Sequence, residues 1–281
     1  MSNSRNRATG WQHAKLSGHA NETNVENLFK DTHFCELFSK RLGIKKIVSA
    51  KVGGLCETNV TSVLGDKTKS KTDLKLTLED GNVVNISIKK SNDGQVFLIG
   101  VERFIAGYEL QFKESIPDHI QDLLYLYFYG NPKTQTLLND STVTRNQKAS
   151  WIKYQRKHNR LTWVSLFNMN KNSAEALLDW LKNNIEKITD FCFSRGLAKN
   201  PSDWAQYVWY INLLDEDSLN TVFSIEDIKR AVVGNKNTVS PSSRCGGSTT
   251  HLPFGFVQWH QAKMQFHLSL NKLSDIVMSK F

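Results

Sequence analysis

The sequence predicts an α/β protein, in the broad sense that includes α+β, with strands and helices interspersed along 281 residues. Three observations predict this class. Residues 74–78 and 84–88 alternate apolar and polar side chains, as half-buried strands do. Residues 177–192 carry an apolar stripe at helical spacing. Residues 254–260 and 264–270 form two more strand-like runs near the end of the chain.

The first expected element is a helix that follows Gly18. Val25 and the Leu-Phe pair at 28–29 fall at helical spacing. Glu22 and Glu26 therefore lie on this helix. We expect an extended segment at 47–52 after it.

The segment 70–90 predicts a β-hairpin whose register depends on its turn. Successive side chains of a strand point to opposite faces, so a shift of one residue turns every side chain over. A two-residue turn would pair Leu74 with Ser87, whereas a three-residue loop ending in a left-handed Gly81 pairs Leu74 with Ile86. We favour the three-residue loop because it keeps the apolar side chains on one face.

The favoured register brings three polar side chains to one end of the hairpin. It sets Asp73 opposite Ser87 and diagonal to Lys89, within reach of a shared ligand. An aspartate, a polar residue and a lysine in this arrangement are the skeleton of a nuclease metal site. The alternative is an ordinary amphipathic hairpin with a solvated polar face.

Strands and helices continue to alternate after the hairpin. We expect strands at 95–101 and 207–214 and helices at 102–109, 120–129 and 224–233. The longest helix begins with a capping-box-like pair, Asn172 and Glu175, and continues to Gly196. Its apolar stripe predicts a place in the core.

The overall charge indicates the class of partner. A net charge of +9 and a pI near 9.3 favour an anionic partner such as nucleic acid or an acidic membrane surface. Because no long basic amphipathic helix is present, the membrane surface is the less favoured partner.

Several functional classes lack their sequence signals. The first ten residues have no apolar signal core and no run of 18 apolar residues occurs, so we expect a cytoplasmic protein that is not bound to a membrane. The four cysteines lie far apart and predict reduced thiols rather than zinc or disulfides. The P-loop, serine-hydrolase and dinucleotide-binding motifs are all missing.

Two segments carry groups suited to nucleic acid. Residues 131–160 are basic and contain two aromatic side chains, and either contact phosphates or form a solvated surface. The C-terminal region offers many hydrogen-bond donors and acceptors of the kind that base edges require, although it is equally an ordinary polar hairpin. The candidate DNA-binding residues are Lys153, Arg156, Ser242, Ser243, Arg244, Gln258, His260, Gln261, Lys263, Gln265 and His267.

Five segments in a shared order carry a resemblance to a known family. They are AKLSGHANE, SKTDLKLTL with ISIKKSN, LLDWLKNN with RGL, VSPSSR, and KMQFH. In these segments the chain resembles type II restriction endonucleases of the group that contains MspI and its GCGC-cutting relative, within the PD-(D/E)XK superfamily. The resemblance implies a mixed central β-sheet flanked by helices, with a C-terminal β subdomain that recognises DNA.

The resemblance also implies a division of the chain by role. Residues 1–130 would hold the first part of the catalytic core and the metal-site hairpin. Residues 131–281 would hold a basic linker, a packing helix and the DNA-recognition region, and both parts would belong to one compact two-lobed domain.

The roles of the hairpin residues follow from the resemblance. Asp73 matches the metal-binding aspartate and Lys89 the catalytic lysine, while Ser87 stands where most members have a second acid. Mg²⁺ would be held by Asp73, a backbone carbonyl near Ile88 and Ser87, and would activate water for phosphodiester hydrolysis. Glu22, and after it Glu102, are our candidates for an acid that replaces the missing carboxylate.

The implied substrate is double-stranded DNA with a short palindrome rich in G and C. Gln265 and His267 fall where the similar tail, ending in MQFK, reaches base edges, and the exchange of Lys for His predicts a different target. A nicking repair endonuclease on the same fold and a catalytically inactive DNA-binding protein are the alternatives. The resemblance further implies a bacterial protein, a monomer or weak homodimer, and a cognate DNA methyltransferase in the same system.

Overall fold

The computed structural model describes residues 20–53, 60–129, 161–214, 220–242, 248–260 and 263–277, with a few isolated positions besides. The chain forms two compact units. Unit 1 is built from described parts of Met1–Asn92 and Phe193–Asp227, and unit 2 from described parts of Asp93–Cys192 and Ile228–Val277. The division of roles at residue 130 stays a prediction.

The strands are numbered in chain order. They are β1 (Ile47–Val52), β2 (Val60–Thr61), β3 (Lys67–Thr68), β4 (Leu74–Leu78), β5 (Val83–Lys89), β6 (Asp93–Ile99), β7 (Tyr207–Ile211), β8 (Asn220–Ser224), β9 (Ser240–Pro241), β10 (Thr249–Leu252), β11 (Gly255–His260) and β12 (Lys263–Ser269).

The helices are numbered in the same way. They are α1 (20–28), α2 (Thr32–Leu42), α3 (Val101–Phe112), α4 (Asp118–Tyr129), α5 (Trp163–Met169), α6 (Lys171–Asn183), α7 (Ile185–Asp190), α8 (Ile225–Gly234) and α9 (Leu270–Ile276). A π-helical turn covers Phe191–Arg195, and short 3₁₀ turns cover Pro201–Asp203 and Lys236–Thr238.

Unit 1 contains a mixed five-stranded sheet in the order β1-β4-β5-β7-β8. The pair β5/β7 is parallel, and the other three pairs are antiparallel. Helices α1 and α2 pack on this sheet. The expected class, a mixed α/β fold with a central mixed sheet and flanking helices, is confirmed.

One face of this sheet is apolar and packs against α1 and α2. Val25 and Phe38 from the two helices share a buried cluster with Leu74, Ile86 and Trp209 from three strands. The aromatic rings of Phe38 and Trp209 lie 4.6 Å apart between centroids. The hydrophobic effect therefore attaches α1 and α2 to the face formed by the leucines of the hairpin.

The opposite face of the hairpin is less solvated than an amphipathic hairpin implies. Asn85 and Ser87 are each only 3% exposed. The amide of Asn85 donates to the backbone oxygens of Ser202 and Trp204, so a segment of unit 1 covers part of this polar face. The idea of an ordinary hairpin with a solvated polar face is wrong for these two positions.

The register predicted for the hairpin is the one observed. Leu74 pairs with Ile86, and the loop between Leu78 and Asn82 has three residues. Gly81 has φ +81°, in the left-handed region, which a residue without Cβ reaches at little cost.

The predicted long helix is divided. It begins at Lys171, capped by the side chain of Asn170 rather than Asn172, and ends at Asn183. Asn184 is the C-cap of this helix. The side-chain Nδ2 of Asn184 donates to Trp180 O, and its Oδ1 accepts from the Tyr108 hydroxyl. The apolar stripe nevertheless lies in the core as expected; its buried residues are Leu177, Leu178, Leu181, Ile185, Ile188 and Cys192.

Unit 2 contains an antiparallel sheet in the order β6-β12-β11-β10-β9. The strand predicted at 95–101 is β6, which ends at Ile99, since Val101 already begins α3. Its partner is β12, far away in sequence. The C-terminal strands thus form a sheet that is completed by one strand from the first half of the chain.

Across the described ranges, no helix combines the length and the apolar character needed to span a bilayer.

The left-handed conformation of Gly81 predicts a stability effect. Gly81→Val should lower the free energy of unfolding by about 1–2 kcal/mol, because a branched side chain is strained at positive φ. Gly81→Asn should lose less, since Asn tolerates this region. Urea unfolding followed by circular dichroism measures both.

Gly234→Ala is the matched control, because Gly234 lies in open space without a positive φ and should tolerate a methyl group. If Gly81→Val proves as stable as Gly81→Asn, the left-handed turn is not the constraint on the hairpin.

Candidate functional site

The predicted site residues meet at one end of the unit 1 sheet. Asp73 directly precedes β4, and its backbone N–H donates to Ile86 O at 2.9 Å. Ser87 and Lys89 lie near the end of the neighbouring strand β5. The antiparallel pairing of β4 with β5 therefore brings the start of one strand and the end of the other together.

The carboxylate of Asp73 is held in a fixed orientation. Its Oδ2 accepts from the backbone N–H of Ile88 at 2.7 Å and from the hydroxyl of Ser87 at 3.1 Å. Within the described part of the chain no hydrogen bond reaches the other oxygen, Oδ1. The side chain is 22% exposed, so one oriented carboxylate oxygen remains available to a ligand.

The ammonium group of Lys89 lies among the same oxygens. It donates to Ser87 Oγ at 2.8 Å and to Ile88 O at 3.2 Å, and it lies 3.7 Å from Asp73 Oδ2. Ser87 connects the two charged groups, since its hydroxyl accepts from the lysine and donates to the aspartate. The side chain of Lys89 is 23% exposed.

The oxygens of this cluster fit a hard divalent cation. A carboxylate, a backbone carbonyl and a hydroxyl are ligands of the type that Mg²⁺ takes, and Mg²⁺ is commonly held by one or two carboxylates together with water and substrate phosphates. Among the described residues, no three or more His, Cys, Asp or Glu side chains are grouped so that they could hold a metal ion. The cluster therefore fits a site that depends on water and substrate for part of its coordination.

Two polar side chains attach helix α1 to the same end of the sheet. The buried amide of Asn21 donates to Ile211 O at 2.9 Å and accepts from Leu213 N at 2.8 Å, at the end of β7. The carboxylate of Glu26 accepts from Val52 N at 3.0 Å, at the end of the edge strand β1. Strands β5 and β4 lie between β7 and β1, so α1 crosses the strand ends that carry Lys89 and Asp73.

These contacts place Glu22 on the part of α1 between its two attachments. It follows Asn21 and precedes Glu26, on the stretch that crosses β5 and β4. The sequence placed Glu26 on this helix but gave neither Asn21 nor Glu26 a role in attaching it to the sheet. The position of Glu26 one helical turn after Glu22 was a signal that both belong to one side of the helix.

Glu102, the second candidate acid, lies in unit 2. It occupies the first turn of α3, which begins after Gly100. The Asp73, Ser87 and Lys89 cluster belongs to unit 1. Glu102 takes no part in the hydrogen bonds and the ion pair that join Asp73, Ser87, Ile88 and Lys89.

Comparisons with known proteins find similarity to solved structures, although not to sequence families. No protein-family model matches the chain, and no curated protein matches its sequence. A crystal structure of the restriction endonuclease MspI in complex with its cognate DNA matches over 82% of this chain and 75% of that one. The sequence identity is 15% and the TM-score is 0.42.

In unit 2, the expected base-contacting residues of β11 and β12 gather on one side of the sheet. Gln258 pairs with Gln265, and His260 pairs with Lys263. Directly paired residues point to the same face. We call this surface the polar face; its residues are Gln95, Gln258, His260, Lys263, Gln265 and His267.

Three glutamines form a hydrogen-bonded ladder across the polar face. Gln258 Nε2 donates to Gln265 Oε1 at 3.0 Å, and Gln265 Nε2 donates to Gln95 Oε1 at 2.9 Å. Gln265 is 8% exposed, whereas Gln258 is half-buried and Gln95 is exposed. Sequence reasoning missed Gln95, because no local pattern indicates that β6 pairs with β12.

The remaining DNA-binding candidates have different positions. Ser242 follows β9, and its N–H donates to Thr249 O at 2.8 Å. Five candidates lie outside the described residues; they are Lys153, Arg156, Ser243, Arg244 and Gln261.

His267 has an unusual environment on the polar face. Its ring stacks on Phe256, with centroids 4.5 Å apart and an angle of 11° between the rings. Its Nε2 is buried and accepts or donates no hydrogen bond within the described residues. Burial, and then the nearby His260, lower the pKa of His267, while Asp93 opposes the shift.

The lowered pKa of His267 predicts how stability depends on pH. The unfolded chain takes up a proton near the ordinary pKa of about 6.5, whereas the folded ring does so only at lower pH. The stability that His267 contributes is therefore complete above the unfolded pKa and is lost as the pH falls toward the folded pKa. His267→Gln should show a shallower loss of unfolding free energy between about pH 7.5 and 5.5.

Urea unfolding across this range measures the difference, with His33→Gln as a control for loss of an exposed histidine on α2. Identical pH dependence in wild type and His267→Gln would contradict the role given to His267.

Proposed function

We propose that this protein is a magnesium-dependent deoxyribonuclease of the type II restriction class, which hydrolyses phosphodiester bonds in double-stranded DNA. The observation that carries the proposal is the convergence of Asp73, Ser87 and Lys89 within hydrogen-bonding range at the strand ends. An oriented carboxylate, an ammonium group and neutral oxygens in one partly exposed cluster are suited to phosphoryl chemistry. The net charge of +9 is suited to a polyanionic substrate.

Each residue of the cluster has a role in the proposed hydrolysis. Asp73, the carbonyl of Ile88 and Ser87 would hold Mg²⁺, which when bound polarises the phosphate and supplies a water of lowered pKa. The backbone N–H of Ile88 keeps the carboxylate of Asp73 in position. Lys89 positions the attacking water and stabilises the negative charge that develops on the phosphate oxygens.

Glu22 is the acid we propose to complete the site. It lies on the stretch of α1 that crosses the strand ends bearing Lys89 and Asp73. A second carboxylate would supply the charge that Ser87 lacks, and helix α1 is attached to the sheet on both sides of Glu22. We propose this role for Glu22 in preference to Glu102.

The polar face of unit 2 is the surface we propose for reading DNA bases. Its amides, imidazoles and lysine supply both donors and acceptors, which distinguish base pairs in the major groove. We propose a short, GC-rich palindrome as the target. The wider proposal is a bacterial cytoplasmic monomer or weak homodimer that acts beside a cognate DNA methyltransferase.

One observation favours a second function. The replacement of the second acid by Ser87, with no cluster of three potential metal ligands in the described ranges, fits a DNA-binding protein that no longer cleaves. Such a protein would bind a specific sequence with or without divalent metal. Cleavage assays separate the two functions.

The cluster predicts which substitutions abolish cleavage. Asp73→Asn and Lys89→Met should each lower the rate of plasmid cleavage about 100–1000-fold, because the first removes the charge of a proposed Mg²⁺ ligand and the second removes a cation that stabilises the developing negative charge. Mg²⁺ should be required, and EDTA should stop the reaction. The cut ends are then sequenced to find the target.

Lys75→Met is the control, because Lys75 is another lysine of the hairpin and pairs with Asp203 at 3.8 Å instead. Its cleavage rate should stay near that of wild type. DNA that remains intact on every substrate with the wild-type protein would refute the nuclease and leave the DNA-binding function.

The position of Glu22 predicts a metal-dependent defect. Glu22→Gln should lower the cleavage rate about 10–100-fold, as loss of a residue that supports a metal site does, and high Mg²⁺ should restore part of it. Rates measured against Mg²⁺ concentration give the comparison. Glu26→Gln is the matched control, because it retains the oxygen that accepts from Val52 N; an equal defect in both variants would contradict the assignment.

A further inference from the structure

The ammonium group of Lys89 occupies the position of a cation in the oxygen cluster. It contacts Ser87 Oγ at 2.8 Å and Ile88 O at 3.2 Å, and Asp73 Oδ2 lies 3.7 Å away. These three residues are also those that supply oxygens to the proposed metal site. One set of oxygens therefore serves the lysine in the folded protein and a divalent cation in the proposed reaction.

The two cations compete for these oxygens. The hydroxyl of Ser87 already uses its proton toward Asp73 and a lone pair toward Lys89. Two positive groups a few ångströms apart also repel each other, most strongly where solvent is partly excluded. Release of Ser87 and Ile88 by Lys89 therefore favours the binding of a divalent ion to the same oxygens.

The released ammonium group needs another anion. Within the described residues, Asp73 is the carboxylate that Lys89 contacts. A phosphate of the DNA backbone supplies a second anion in addition to Asp73, and lysine binds phosphate readily as a point charge.

We propose that Lys89 couples the binding of the divalent cation to the binding of DNA. In the free protein its ammonium group fills the cation position and weakens metal binding; when a phosphate arrives, the ammonium group moves to it and frees the oxygens. This inference rests on the proposed function. Because coupling between two ligands is reciprocal, the cation strengthens DNA binding by the same factor.

The coupling has a functional consequence. The free protein holds its lysine in the site, so the complete set of metal, water and lysine assembles only on DNA. Lys89 thereby acts in two positions, first among the oxygens of the cluster and then on the phosphate. The change between the two positions of Lys89 needs no movement of the backbone, since a lysine side chain is flexible along four methylene groups.

Calcium titration calorimetry tests the coupling without relying on cleavage. Wild type, Lys89→Met and Lys75→Met are titrated with Ca²⁺ alone, and then with a duplex that contains the cleaved sequence and is checked to remain intact. Lys75 is a close control, because its side chain is 25% exposed against 23% for Lys89. Lys89→Gln, which keeps a donor for Ser87 but no charge, serves if Lys89→Met does not fold.

We expect Lys89→Met to bind Ca²⁺ about tenfold more tightly than wild type without DNA, because a charge-assisted hydrogen bond to the same oxygens is lost. Lys75→Met should bind as wild type does. Adding the duplex should raise the Ca²⁺ affinity of wild type about tenfold more than that of Lys89→Met, because in the complex the ammonium group of wild type no longer competes for the oxygens.

Two results would overturn the inference while leaving the nuclease intact. One is equal Ca²⁺ affinity in wild type and Lys89→Met when wild type cleaves DNA with Mg²⁺. The other is equal tightening by Lys75→Met, which shows a general charge effect. Absence of both Ca²⁺ binding in all variants and cleavage by wild type would overturn the proposed function together with the inference.

Discussion

The register of the β4/β5 hairpin is the constraint on which the site depends. A shift of one residue would turn Asp73 to the face that packs against α1 and α2 and expose a leucine in its place. The three-residue loop with a left-handed Gly81 sets the pairing of Leu74 with Ile86. The apolar cluster stabilises that pairing, because only this register buries the leucines of β4 together with Ile86 and Ile88. Turn geometry and hydrophobic burial thus select the same arrangement.

Polar contacts fix the direction of helix α1 across the sheet, which the apolar cluster alone does not determine. Burial of Val25 attaches the helix to the sheet but is not directional. The amide of Asn21 and the carboxylate of Glu26 bind backbone groups at the ends of β7 and β1, and these hydrogen bonds fix the direction in which the helix crosses the sheet. An unpaired buried amide is costly, so Asn21 gives this crossing its specificity.

The sequence predicted elements whose signals are local. The mixed α/β class, the hairpin register and helix α1 all follow from alternation, helical spacing and turn residues within about 20 positions. Helix α2 was not predicted from the sequence. Its local signals were nevertheless present, since Asp31 caps its start and Gly43 ends it. The break at Asn184 could not be predicted, because the apolar stripe continues through it and its hydroxyl partner comes from α3. Gln95 meets Gln265 across 170 residues, and no local pattern carries that pairing.

The charges of the site explain why a serine suits position 87. Asp73 and Lys89 together are electrically balanced, and the neutral hydroxyl of Ser87 links them by accepting from one and donating to the other. A carboxylate at this position would instead pair with Lys89 and leave the cluster negative before substrate binds, a state that attracts divalent ions on its own. In the proposed nuclease, the serine requires that the remaining negative charge around a divalent ion be supplied by the DNA phosphate and by Glu22. Under that proposal, part of the metal coordination would lie on the substrate rather than on the protein.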